Sequence, residues 1–119
     1  MKKVLIIDDD RGIRDSTKLL LELEGMEVHT NPGQNVMEEI SEINPDVVLL
    51  DIWMVGLDGR AICEEIKNKY NAHSPKVIMM TAGKDLKESA LASGADEFIE
   101  KPFDIDNLIN RIDTLKLEN

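Results

Sequence analysis

Five polar residues stand at the ends of short segments that read as strands in this sequence. Asp8 and Asp9 follow the run 4–7, Asp51 closes the run 47–50, Thr81 follows Met79 and Met80, and Lys101 comes just after 96–100. Three carboxylates brought to one place repel one another unless a cation sits between them. An all-oxygen set with few ligands suits Mg2+, which keeps several waters and takes one or two carboxylates. Ca2+ normally takes more protein oxygens. A transition metal normally brings His or Cys, and neither clusters here. A lysine and a hydroxyl facing a metal-bound carboxylate make a phosphoryl site. Lys101 and the cation would neutralise phosphoryl oxygens, and Thr81 would donate a hydrogen bond.

Each of these residues also has an ordinary structural role open to it. Asp8 and Asp9 fit a helix N-cap cluster, Thr81 a strand end and Lys101 a solvated surface. It is their joint placement that points to chemistry. Asp10 reads as a helix cap rather than a ligand. Cys63 falls on an apolar helical face and reads as core filler. His29 and His73 have no companions of a catalytic or metal set. Met54, Met79 and Met80 read as loop and core.

The elements that must position these residues alternate regularly. Strands are expected over 3–8, 26–30, 46–51, 76–80 and 96–100. Helices are expected over 11–24, from Pro32-Gly33 to Asn44-Pro45, over 58–70, over 85–93 and from an Asp104 cap onward. Ile13, Thr17, Leu20 and Leu21 share one face of the first helix, which Gly25 ends. Val36, Met37, Ile40 and Ile43 form the stripe of the second. Ile62, Cys63 and Ile66 face inward on the third. The last carries Ile105, Leu108, Ile109, Ile112 and Leu115. Residues 52–57 read as a loop, and the chain is expected to fray from about Leu117.

Five βα units with short connections predict an α/β fold: a single doubly wound, five-stranded parallel sheet, flavodoxin-like, of order 2-1-3-4-5. In such a sheet ligands bind beyond the carboxyl ends of the strands, beside the switch between strands 1 and 3. That is the edge to which all five polar residues belong.

Composition narrows the partners. The chain has 119 residues, with Lys+Arg 14 and Asp+Glu 24, a formal charge of −10. One domain spanning 1–119 is expected, with no output domain. The negative charge argues against direct nucleic-acid binding, which needs a basic footprint, and against an anionic membrane surface. One cysteine excludes an internal disulfide framework and fits a reducing compartment. The apolar run 4–7 ends in aspartates too soon for a signal peptide or spanning helix, so a cytoplasmic location is expected.

The sequence resembles a bacterial two-component response-regulator receiver domain over essentially its whole length. The matching pieces are Val4-Leu5-Ile6-Ile7-Asp8-Asp9, Pro45-Asp46-Val47-Val48-Leu49-Leu50-Asp51, Gly56-Leu57-Asp58-Gly59, Thr81-Ala82, Gly94-Ala95-Asp96 and Lys101-Pro102-Phe103. Each piece alone is weak; their order on the expected elements makes the signal.

The resemblance implies roles for particular residues. Asp51 is the expected phosphoacceptor. Asp9 is an expected direct Mg2+ ligand and Asp8 one acting partly through water, joined by Asp51 and the main-chain carbonyl of Trp53. Lys101 is expected to contact the phosphoryl group and to pair with Asp51 before it arrives. Thr81 is the expected switch hydroxyl, and Phe98 the aromatic that turns into the space Thr81 vacates. The Lys101–Pro102 bond is expected to be cis. The donor would be a sensor histidine kinase, a histidine phosphotransfer protein or a small acyl phosphate. The resemblance implies a monomer before phosphorylation, leaves dimerisation on activation open, and does not identify the downstream target protein.

The sequence departs from the family pattern in three places. Val55 stands where proline is usual, four residues past Asp51. Trp53 is bulkier than the usual residue there, and is expected to shield an acyl phosphate from water. Lys101 lies only twenty positions after Thr81 (101 − 81), about two fewer than expected, so the loop after the fourth strand or the fourth helix must be trimmed.

Several functions compete. The first is a phosphorylated switch of partner binding, which catalyses only its own phosphorylation and dephosphorylation. A phosphorelay intermediate and a phosphorylation-independent interaction module are the alternatives. An aspartyl-phosphate phosphatase would need a second acid two residues past the nucleophile, where Trp53 stands. Both a stand-alone receiver and one excised from a longer regulator fit the sequence.

Overall fold

Alternate residues of the central strands face opposite sides of one sheet, and this pleat builds two cores. The computed structural model describes residues 2–115. The sheet contains β1 (Lys3–Ile7), β2 (Glu27–Asn31), β3 (Val47–Asp51), β6 (Lys76–Thr81) and β7 (Glu97–Glu100), all parallel, in the order β2-β1-β3-β6-β7. Two short strands, β4 (Trp53–Met54) and β5 (Leu57–Asp58), form a separate antiparallel pair. With that pair set aside, the observed order is the 2-1-3-4-5 expected from β-α alternation.

On one face, Leu5, Ile7, Val48, Leu50, Val77, Met79 and Phe98 pack with buried residues of α2 (Val36–Ile43), α3 (Gly59–Tyr70) and α4 (Lys87–Ala92). On the other, Val4, Ile6, Val47, Leu49, Ile78, Met80 and Ile99 pack against Leu21 of α1 (Arg11–Leu23) and Leu108 and Ile112 of α5 (Ile105–Thr114). Covering on both faces explains why β3 is apolar at every position up to Asp51. Among the described residues no helix is long and apolar enough to cross a membrane.

Several expected details shift. Residues 52–57 are not a bare loop, because 53–54 and 57–58 pair across a two-residue turn. The second helix starts at Val36 rather than at Pro32-Gly33. The Asn31 side chain accepts from the Gly33 and Gln34 amides at 2.6 and 2.8 Å, so these residues make a capped turn instead. Leu20 is not buried with Thr17 and Leu21; it lies 39% exposed beside an open groove lined by Ile13 and Phe103. The segment around the fourth helix is a 3-10 turn, Lys84–Leu86, followed by an α4 of six residues, shorter than the expected helix over 85–93. Leu115 lies just past the end of α5, as its cap. Asp10 and Asp104 cap α1 and α5 through hydrogen bonds to Ile13 N and Asp106 N. The expected fraying from Leu117 lies outside the described residues.

Candidate functional site

Parallel strands that end at the same level bring their last residues together. Asp51 ends β3 opposite Met80, and Thr81 ends β6 opposite Glu100. Asp8 and Asp9 follow β1, and Lys101 follows β7, tied by its amide to the Thr81 carbonyl at 2.8 Å. One carboxylate oxygen from each of Asp8, Asp9 and Asp51 lies within 4.8 Å of the others. Sequence positions 8, 51, 81 and 101 thus converge on one crevice.

The three carboxylates are held differently. Asp8 is fully buried. Its Oδ2 accepts from Lys101 Nζ at 2.6 Å, and its Oδ1 accepts from the Asp10 amide at 2.9 Å. Asp9 is exposed, and its Oδ2 accepts from the Val55 amide at 2.9 Å. Asp51 is buried, with its Oδ2 at 3.6 Å from Lys101 Nζ. Lys101 therefore hydrogen-bonds Asp8, and Asp51 has only the longer ion pair. Burial raises the Asp51 pKa from 3.8 to about 6. Lys101 opposes that shift, and the neighbouring Asp8 and Asp9 charges reinforce it.

This arrangement fits a divalent cation by its donor chemistry. All the donors are hard oxygens, they converge, and one ammonium does not balance three carboxylates.

The approach of α3 to the crevice depends on one small residue. Gly59 N donates to the Ile52 carbonyl at 2.7 Å, and a Cβ on Gly59 would strike the Asp51 carbonyl. Just before it, Asp58 caps α3 and accepts from the Arg60 guanidinium at 3.0 and 2.7 Å. The same guanidinium donates to Ser89 Oγ of α4 at 2.7 Å and stands 4.9 Å from the centroid of the Trp53 ring.

Trp53, in β4 two residues past Asp51, is 55% exposed. Thr81 and Phe98 are both buried, Phe98 among the core residues on the α3–α4 face. The Lys101–Pro102 bond is cis. Cys63 is buried, and burial raises its thiol pKa. His29 pairs with Glu27 at 2.7 Å, away from the crevice residues.

Sequence reasoning missed three participants. Arg14 donates to the Asp8 carbonyl at 2.7 Å, Arg60 bridges Trp53 to α4, and the Val55 amide holds Asp9. Only Val55 left a trace in the sequence, as a residue with an N–H where proline is usual.

Comparison with known proteins agrees with this geometry. A family model described as the response regulator receiver domain matches residues 4–113. The chain is similar to the response regulator protein TrrA of Thermotoga maritima, solved in complex with Mg(2+)-BeF. The identity is 32%, 98% of this chain and 100% of that one are covered, and the TM-score is 0.88. It is also similar to the receiver domain of the Francisella response regulator 1452, with 31% identity, 95% and 94% covered and a TM-score of 0.85. The Vibrio cholerae chemotaxis protein CheY4, at 24% identity, 98% and 99% coverage and a TM-score of 0.88, shares the fold.

Proposed function

The chain belongs to the response regulator receiver domain family of two-component signalling, and from that premise we propose that it accepts a phosphoryl group on Asp51 in a Mg2+-dependent reaction and thereby switches partner binding. The observation that carries the proposal is the cluster of Asp8, Asp9 and Asp51 oxygens within 4.8 Å, with Lys101 Nζ among them. The TrrA relative, solved with Mg(2+)-BeF, supports the choice of metal.

An Asp51 carboxylate oxygen attacks the phosphorus of a phosphohistidine on a sensor kinase or histidine phosphotransfer protein. The P–N bond breaks and its electron pair returns to the imidazole, which takes a proton. With acetyl phosphate, the P–O bond breaks and acetate leaves. The product is an acyl phosphate, which water later cleaves to inorganic phosphate and the free carboxylate. Asp8, Asp9, Asp51 and the Trp53 carbonyl would hold Mg2+, which supplies charge neutralisation at the phosphoryl oxygens. Lys101 contributes a second positive charge from the β7 side, leaving Asp8 for the arriving group.

Thr81 ends β6 next to Asp51 in the sheet and donates its hydroxyl to a phosphoryl oxygen. Phe98, on the neighbouring strand, is buried, and it is the aromatic that answers the movement of Thr81. The chain acts on itself rather than turning over a separate substrate, and it works in the cytoplasm beside its kinase.

Intact mass after incubation with acetyl phosphate tests the reading. A single phosphoryl adduct is expected with Mg2+, and none without Mg2+ or in Asp51→Asn. Absence of the adduct with acetyl phosphate and with phosphorylated kinases alike would leave a phosphorylation-independent interaction module.

A further inference from the structure

The turn between β4 and β5 carries a feature that the phosphoacceptor chemistry does not use. Met54 pairs with Leu57, so Val55 and Gly56 are the two central residues of a tight turn. Gly56 has φ +73°, whereas Val55 is not among the residues with positive φ. That combination is the type II pattern, whose first central position accepts proline well. Met54 before it is extended, as a residue preceding proline must be. The backbone here would tolerate proline, yet the residue present has an N–H, and that N–H donates to Asp9 Oδ2 at 2.9 Å.

The valine side chain does nothing comparable. It is 91% exposed, so the position's contribution to the crevice is its amide alone. Asp9 is the exposed member of the carboxylate cluster, whereas Asp8 and Asp51 are fixed by burial and by Lys101. An exposed carboxylate left to itself samples several rotamers, and ordering it on binding costs affinity. A hydrogen bond to one oxygen removes that freedom and leaves the other oxygen open to a ligand.

We infer that the Val55 amide is a positioning group that holds Asp9 in place for the divalent cation, a role that proline at this position cannot perform. The inference rests on the metal reading proposed above. It adds that hairpin and metal site are coupled: whatever displaces the β4–β5 turn loosens Asp9.

Mg2+ binding to the full chain tests this by calorimetry and by the emission of Trp53, the one tryptophan in the sequence. Val55→Ala keeps the amide and is expected to bind as wild type. Val55→Pro removes it and is expected to bind about tenfold more weakly, the usual cost of losing an outer-sphere partner of a metal ligand. An ester in place of the Met54–Val55 peptide bond removes the N–H with the side chain unchanged, and covers the case in which the proline variant misfolds. Equal affinity in wild type, the proline variant and the ester overturns the inference. So does an alanine variant as weak as the proline one. If the wild type itself binds no Mg2+, the metal reading fails, and this inference falls with it.

Discussion

Two clusters of charge sit at opposite ends of the same sheet, and they are built on opposite terms. At the amino ends of β6 and β7, Asp96 meets two ammonium groups. Its Oδ2 is 2.6 Å from Lys67 Nζ and its Oδ1 is 3.9 Å from Lys76 Nζ. It also accepts from the Val77 amide at 2.9 Å, while Lys67 reaches Ser74 and the Pro75 carbonyl. At the carboxyl ends, three carboxylates converge, Asp8, Asp9 and Asp51, and Lys101 Nζ reaches two of them, Asp8 at 2.6 Å and Asp51 at 3.6 Å. The first cluster is balanced as folded, one carboxylate between two ammonium groups. The second is short of positive charge, and that shortage lets a cation and a phosphoryl group change its energy.

The contrast predicts mutational effects of opposite sign. The folded state holds the Asp51 proton with a pKa of about 6, above the ordinary 3.8. Between those values the folded chain keeps a proton that the unfolded chain has released. The protein therefore loses stability from this group as pH rises through that window, and the full cost is present at pH 7. Asp51→Asn removes the cost and is expected to stabilise the metal-free protein by about 2–3 kcal/mol at pH 7, with little gain at pH 4. Asp96→Asn is expected to destabilise it by about 2 kcal/mol, because a hydrogen-bonded partner of Lys67 and of a backbone amide is weakened. Urea denaturation of both variants at the two pH values measures this. Loss of stability in Asp51→Asn at pH 7 would remove the distinction between the clusters.

Magnesium sharpens the same comparison with a smaller effect. At ten times its dissociation constant, it is expected to stabilise the wild type by about 1.4 kcal/mol. Asp96→Asn should gain the same increment, since the two clusters lie at opposite ends of the strands and share no partner. Asp51→Asn should gain less, having lost one of the charged oxygens. Denaturation with and without Mg2+ gives all three values. An altered increment in Asp96→Asn would mean that the clusters communicate.

The sequence made much of this legible, for a physical reason. Asp51 and Thr81 are placed by strands whose buried pattern is unambiguous, and parallel pairing then brings their ends together. Asp8, Asp9 and Lys101 come with them because each follows its strand within two residues. What pattern reading left out depends on side-chain reach and backbone donors. That Lys101 hydrogen-bonds Asp8 at 2.6 Å while standing 3.6 Å from Asp51 is a matter of rotamer and burial. The Arg60 contacts cross from α3 to α4 and to the hairpin, and no periodicity encodes them. Leu20 was placed on the buried face of α1, but the face that meets the sheet is narrower than the apolar stripe.

The smallest effect tests how far the crevice extends toward α4. Trp53 lies two residues past Asp51, and the Arg60 guanidinium is 4.9 Å from its ring centroid. Arg60 is itself anchored by both oxygens of Asp58 and by Ser89 of α4. If the indole slows water's approach to an acyl phosphate on Asp51, Trp53→Asn should speed its decay. The ring is 55% exposed, so it screens from one side only, and about a threefold acceleration is expected, well under the 1.36 kcal/mol of a tenfold change. Arg60→Ala frees the ring without removing it and should give a smaller acceleration, and Ser89→Ala a smaller one still. Loss of the adduct mass over time, after the donor is removed, ranks the three. An unchanged decay in Trp53→Asn would end the shielding idea. A graded series would make the crevice continuous with α4, so that a partner bound to α4 also sets the lifetime of the signal. The balanced cluster around Asp96 has no such route to Asp51, and Asp96→Asn should leave the decay unchanged.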